Sequence, residues 1–136
     1  MVNFHPLGEA TIITFQFRQL LHNLIGNALK FSRNGIAPII EIKADRIIGS
    51  KINIQVDFPD KMYYHLQISD NGIGFEPEYK NRIFEVFQRL NTESEFTGTG
   101  IGLAIVKKIV ENHKGIITAN GEKDKGATFD IYLPEL

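Results

Sequence analysis

Three groups of residues in this 136-residue chain have types and spacings suited to chemistry. The first is Thr97-Gly98-Thr99-Gly100-Ile101-Gly102-Leu103, alternating glycines that open into an amphipathic helix. Without Cβ atoms the backbone can turn tightly and approach a ligand, and the helix start adds free N–H groups and a positive dipole end, which favour phosphate. No Gly-Lys-Ser/Thr follows, so it is not a P-loop, and Leu103 breaks the dinucleotide pattern G-x-G-x-x-G. The second group is Asp70-x-Gly72-x-Gly74, at the end of an apolar strand. A carboxylate there can accept from an exocyclic amine such as adenine's, and the glycines, with Ile73 between them, let a flat ring lie against the backbone. The third is Asn23, Asn27 and Lys30, at i, i+4 and i+7 along the border of an apolar helix face. Asparagine is a poor helix former, its amide oxygen is a hard ligand suited to Mg²⁺, and Lys30 is placed to meet the same phosphates. Each group has a plainer alternative: a glycine turn starting a helix, a strand-to-turn junction, and a capping or packing role.

These residues need elements to hold them. Phe17, Leu20, Leu21, Leu24, Ile25, Ala28 and Leu29 recur at the three- and four-residue spacing of one buried face, predicting a helix from about Phe15 to Ser32. Ile39–Ala44 and Ile52–Val56 alternate at period two around Gly49-Ser50-Lys51, predicting a hairpin. Thr11–Ile13 reads as a short strand, Tyr63–Ser69 as a strand running into Asp70, and Tyr79–Phe87 as a helical segment. A helix from Ile101 to about Asn112 is expected to stop at Gly115 in the C′ position, and two closing strands, Ile116–Ala119 and Ala127–Leu133, flank a turn over residues 121–126. Together these predict one α+β domain over residues 1–136, a two-layer α/β sandwich with a mixed, mostly antiparallel sheet and helices on one face. Roughly twenty residues, Phe75 to Phe96, join the two glycine motifs, long for a connector and suited to a lid. In it Phe84 and Phe87 read as packing anchors and Arg89 as a charge for a terminal phosphate.

Fifteen Lys and Arg balance sixteen Asp and Glu, so no charge footprint points to nucleic acid or to direct membrane contact. Cysteine is absent, which excludes disulfides and thiolate metal sites. No apolar run approaches a membrane span, and the chain reads as soluble.

In order along the chain, Asn23-Leu24-x-x-Asn27-Ala28-x-Lys30-Phe31 resembles the N box of bacterial sensor histidine kinases. Asp70-x-Gly72-x-Gly74 resembles the first glycine box, Phe84-Glu85-x-Phe87-x-Arg89 the F box, Gly98-Thr99-Gly100-Ile101-Gly102-Leu103-Ala104 the second glycine box, and Gly126-x-Thr128-Phe129 the closing one. The resemblance implies the ATP-binding catalytic domain of the GHKL superfamily. It implies that Asp70 holds the adenine amine beside Gly72, Ile73 and Gly74, and that Asn27 holds Mg²⁺ with Asn23 and Lys30 near the phosphates. The backbone of Gly98, Thr99, Gly100, Ile101, Gly102 and Leu103 would cradle the β- and γ-phosphates, Thr128 would support the adenine end, and Arg89 would reach the γ-phosphate on lid closure. Asn23, Lys30 and Arg89 are then the catalytic candidates, and Phe84 and Phe87 belong to the nucleotide-binding lid.

Two absences refine this. Gyrase-type and chaperone relatives carry a general-base glutamate four residues before the metal asparagine, where this chain has Asn23, which argues against an efficient stand-alone ATPase. The family's phosphoacceptor histidine precedes an acidic residue, whereas His5, His22, His65 and His113 precede Pro, Asn, Leu and Lys, and all four read as solvated or helix-border residues. The chain is therefore expected to be a fragment or a partner-dependent protein, monomeric and cytoplasmic (its parent membrane-anchored or not), unable to autophosphorylate alone. It would phosphorylate a histidine on a separate dimerisation domain, with a response regulator downstream. The alternatives are a nucleotide-binding regulatory module without transfer activity and a serine-directed anti-sigma-type kinase of the same fold.

Overall fold

A computed structural model describes residues 2–4, 14–79, 82–84 and 100–135. Helix α1 (Thr14–Lys30) follows the predicted stripe, with Leu20, Leu24 and Ala28 buried at four-residue intervals. Leu29, expected on that face, stands 48% exposed beyond its edge. Helix α2 (Gly100–Asn112) buries Val106, Ile109 and Val110 against α1 and the sheet.

The sheet contains β1 (Val2–Phe4), β2 (Ile40–Ile48), β3 (Met62–Asp70), β4 (Ile116–Glu122) and β5 (Gly126–Pro134) in the order β1-β2-β3-β5-β4. Among the described residues, only β1 with β2 is parallel and the other neighbouring pairs are antiparallel. Alternation puts Ile40, Ile42, Leu66, Ile68, Phe129, Ile131 and Leu133 in the core with the helices. Each fully buried branched side chain there contributes about 2 kcal/mol. The opposite face is polar. His65, predicted to be solvated or at a helix border, lies on this face of β3, with Nε2 2.7 Å from Asp130, Nδ1 3.1 Å from Asp45 and its ring stacked on Tyr132. The α+β sandwich is as expected.

Three local expectations change. Ile52–Val56 forms no strand: β2 pairs with β3 along its whole length, from Ile40↔Asp70 to Ile48↔Met62, and its other edge takes β1. The antiparallel partner of β2 is thus β3, from further along the chain, and β1 covers the other edge only at Ile40–Ile42. Residues 49–61 instead fold back on themselves, through Gly49 N–H to Lys61 O (2.8 Å) and Ser50 N–H to Pro59 O (2.9 Å). The expected helix over residues 79–87 is, where described, two single 3₁₀ turns, Pro77–Tyr79 and Arg82–Phe84. The stop of α2 is shifted by one residue. Lys114, not Gly115, takes the left-handed conformation (φ 59°), and Gly115 N–H bonds back to Val110 O at 2.9 Å. Gly115 is small for another reason: a Cβ there would lie 2.5 Å from the Tyr132 carbonyl oxygen. The Thr11–Ile13 strand lies outside the described residues.

Candidate functional site

Helix α1 holds the two halves of the site. Near its middle, the Asn23 amide approaches the Gly102 carbonyl in the first turn of α2 (Nδ2 to O, 3.4 Å). One turn on, Asn27 adjoins the same glycine: a Cβ at Gly102 would lie 3.9 Å from its Nδ2. Among the described residues, that Nδ2 is the one buried side-chain polar atom with no hydrogen-bond partner. Buried amides are normally satisfied, so an orphan beside a helix N-terminus is a place prepared for something else. A half-turn of the amide exchanges nitrogen and oxygen, so the position suits either a donor to a phosphate oxygen or a hard acceptor for a cation. Asn23, Asn27 and Gly102 are thus brought together, with Leu103 packed behind them against the core. Lys30 ends α1, its ammonium 5.8 Å from the Phe31 ring centroid.

Just past the end of α1, the Phe31 carbonyl accepts from Ile73 N–H at 2.9 Å, which binds the second half of the site to the first. Asp70 is the last residue of β3, half-buried, and its carboxylate accepts from Gly72 N–H at 2.8 Å. Burial pushes its pKa above the ordinary carboxylate value, opposed in part by the Gly72 and Ala127 N–H groups. The loop is gripped from both sides. Gly74 is left-handed (φ 63°) against the turn between β4 and β5, and Ile73 O accepts from Asp124 N–H at 2.7 Å. Gly72 has no room for a Cβ, which would sit 2.6 Å from the Phe31 carbonyl oxygen.

Two expected site residues lie elsewhere. Thr128 pairs with Ser69 and Ala127 with Asp70, so Thr128 is on the polar face of the sheet, one residue out of phase with the carboxylate. Its hydroxyl donates to Ser69 Oγ at 3.3 Å, and the group beside Asp70 is the backbone N–H of Ala127. Phe84 is buried in the core, edge-on to Phe129 with centroids 6.1 Å apart and with the Lys107 ammonium over its ring. It is an anchor, as its packing reading expected. Phe87, Arg89, Gly98 and Thr99, and the side chain of Ile101, lie outside the described residues. The sequence reading passed over Arg33 and Asn71, which fasten the Asp70 loop to the α1–β2 connector; Asn71 showed only as a turn residue.

Residues 14–136 match the family of histidine kinase-, DNA gyrase B- and HSP90-like ATPases. Cyanobacterial phytochrome A from a Nostoc species is 41% identical over 133 residues, 98% of this chain and 16% of that protein. The mycobacterial sensor histidine kinase MprB is similar in structure, with TM-score 0.74, 26% identity, and coverage of 98% of this chain and 80% of that one. Full-length ShkA in complex with AMPPNP superposes with TM-score 0.72 and 29% identity, over 98% of this chain and 25% of that one. The chain thus spans about a sixth of the length of the phytochrome it matches. Among the described residues, no helix is long and apolar enough to cross a membrane.

Proposed function

This chain belongs to the histidine kinase-, DNA gyrase B- and HSP90-like ATPase family, and on that premise we propose that residues 1–136 are the ATP-binding catalytic domain of a sensor histidine kinase. The observation that carries the reading is the orphaned Asn27 amide beside the first turn of α2, on the helix whose end is bonded to the Asp70 loop.

In this reading the Asp70 carboxylate accepts a hydrogen bond from the adenine amine, and the base lies along Gly72, Ile73 and Gly74. The backbone N–H groups of residues 98–103 hold the β- and γ-phosphates at the positive end of α2. Asn23 and Lys30 face the phosphates from α1, Asn27 ligates Mg²⁺, and Arg89 comes to the γ-phosphate when the lid, anchored by Phe84 and Phe87, closes. When bound, Mg²⁺ neutralises phosphate charge and fixes phosphate orientation. The protein's contribution is positioning and electrostatic stabilisation, the main demand of phosphoryl transfer. A ring nitrogen of a histidine on a separate dimerisation domain forms the new P–N bond as the bond to the β-phosphate oxygen breaks and ADP leaves. A response regulator then takes the phosphoryl group, and the domain works as a monomeric unit in the cytoplasm. The phosphotransfer reading is supported by the sensor histidine kinases among its relatives and structural neighbours, MprB included.

Calorimetry with ATP, with and without Mg²⁺, tests the reading on the wild type and Asn27→Ala. The expected result is Mg²⁺-dependent binding in the wild type and loss of the Mg²⁺ dependence in Asn27→Ala, with affinity about 10- to 100-fold weaker. No binding by the wild type at millimolar ATP would sink the proposal. Radiolabel transfer to an added histidine-bearing dimerisation domain separates the kinase from a nucleotide-binding module, which would bind ATP yet label nothing.

A further inference from the structure

In the connector from α1 to β2, residues 31–39, Ile36 and Ile39 are 44% and 47% exposed, and Gly35 takes a left-handed turn at φ 76°. Hydrogen bonds to Asn71 hold the connector. The Asn71 Oδ1 accepts from Ile39 N–H (2.8 Å) and its Nδ2 donates to Ala37 O (3.1 Å). Its backbone N–H donates to Ile39 O (3.3 Å) and its carbonyl accepts from Arg33 Nε (2.9 Å). With the bond from Ile73 N–H to Phe31 O, the stretch that leaves α1 is laced to the stretch that carries Asp70. Of the four bonds at Asn71, one comes from Arg33 and three join it to Ala37 and Ile39. Asn71 and Arg33 are each joined through at most a few residues to one half of the site: Asn71 directly follows Asp70, and Arg33 lies three residues after Lys30.

We infer that Asn71 and Arg33 are a positioning pair for base selection: by lacing the α1–β2 connector to the loop after β3, they set the Asp70 carboxylate relative to Asn27 and Lys30 on α1. The inference rests on the ATP-binding reading and deepens it. Base and phosphates are tied together within one ligand, so a carboxylate that drifts relative to α1 no longer meets the exocyclic amine while the phosphates stay in place. The cost then falls on nucleotides that carry the amine. A 6-oxo purine, which offers no such donor to Asp70, gains nothing from its placement and loses little when it moves.

The test is the ratio of ATP to inosine triphosphate affinity, measured by calorimetry on the whole chain with Mg²⁺ present. Wild type, Asn71→Ala, Arg33→Ala and Arg33→Lys are compared. The wild type is expected to prefer ATP. In Asn71→Ala and Arg33→Ala the ATP affinity should fall about 10-fold while that for inosine triphosphate changes less than about twofold. Arg33→Lys, which keeps a donor for the Asn71 carbonyl, should retain most of the preference. In the nucleotide-free protein, hydrogen exchange at the Ile39, Gly72 and Ile73 amides should accelerate in the alanine variants. A parallel loss of both nucleotides, which general loosening of the fold would give, overturns the inference, as does an unchanged ratio in both alanine variants. Should Asn71→Ala not fold, Arg33→Ala decides by the same ratio. A wild type that binds neither nucleotide overturns the ATP reading itself, and this inference with it.

Discussion

Asp70→Asn is expected to raise the melting temperature of the nucleotide-free protein at neutral pH while weakening ATP about 10- to 100-fold. The two effects share one cause. Asp70 is held half-buried, and burial raises its pKa above the ordinary value of 3.8. A carboxyl group whose folded pKa is raised binds more protons in the native state than in the unfolded one through the interval between the two values. Stability is therefore fullest below the unfolded pKa and falls as pH rises through the folded one. At neutral pH the native protein carries the cost of an ionised carboxylate out of water, and an amide of the same shape removes it. The amide oxygen can still accept from Gly72 N–H, which holds the loop together. What disappears is the charge that strengthens the hydrogen bond from the base amine. Thermal melts of both proteins from neutral pH down to below the ordinary carboxylate value check the sign: the advantage of Asp70→Asn should shrink as pH falls. An advantage that grows toward low pH would mean that ionised Asp70 stabilises the fold.

Gly74→Ala is expected to damage both the fold and the described part of the site severely. At φ 63° an L-residue loses about 1 kcal/mol or more from backbone strain alone. The added Cβ also collides with the Glu122 carbonyl oxygen and would stand 2.6 Å from that of Gly126, both backbone atoms of the turn between β4 and β5. The loop must then separate from that turn, breaking the bond from Asp124 N–H to Ile73 O. A loss of about 3 kcal/mol and a melting temperature lower by ~10 °C are expected, with ATP binding lost as well. Gly26→Ala is the control. Gly26 lies on the exposed side of α1 with nothing within 4 Å of a built Cβ, and the change should stabilise the helix by about 0.5–1 kcal/mol. Melts of the two variants with and without ATP·Mg²⁺ separate lost fold from lost site. A Gly74→Ala protein that melts like the wild type and keeps its ligand stabilisation would contradict the clamp.

Much of the architecture is written locally. The four-residue spacing of Leu20, Leu24 and Ala28 suffices for α1, because one buried face is all that a helix against a sheet needs. The strand alternation of Tyr64, Leu66 and Ile68 likewise delivers Asp70 to the strand's end on the helix side, and the spacing of Asn23 and Asn27 aligns them for whatever meets that stripe. These readings succeed because each depends on residues close in the chain. The closing box shows the limit. Thr128 turns away from Asp70: in the pairing of β5 with β3 it lies opposite Ser69, and Ala127 takes the place opposite Asp70.

Which residues have side chains suited to a phosphate site, and which periodic elements carry them, is legible in short stretches, because side-chain type and local period are local properties. The folded arrangement made β3, rather than Ile52–Val56, the antiparallel partner of β2 along its whole length. It also decided that Asn27 is left unsatisfied beside α2, and that Asn71 and Arg33 lace the connector to the Asp70 loop. Each of those facts is a competition for a partner far along the chain, and such competitions are settled only when the whole sheet and both helices are in place.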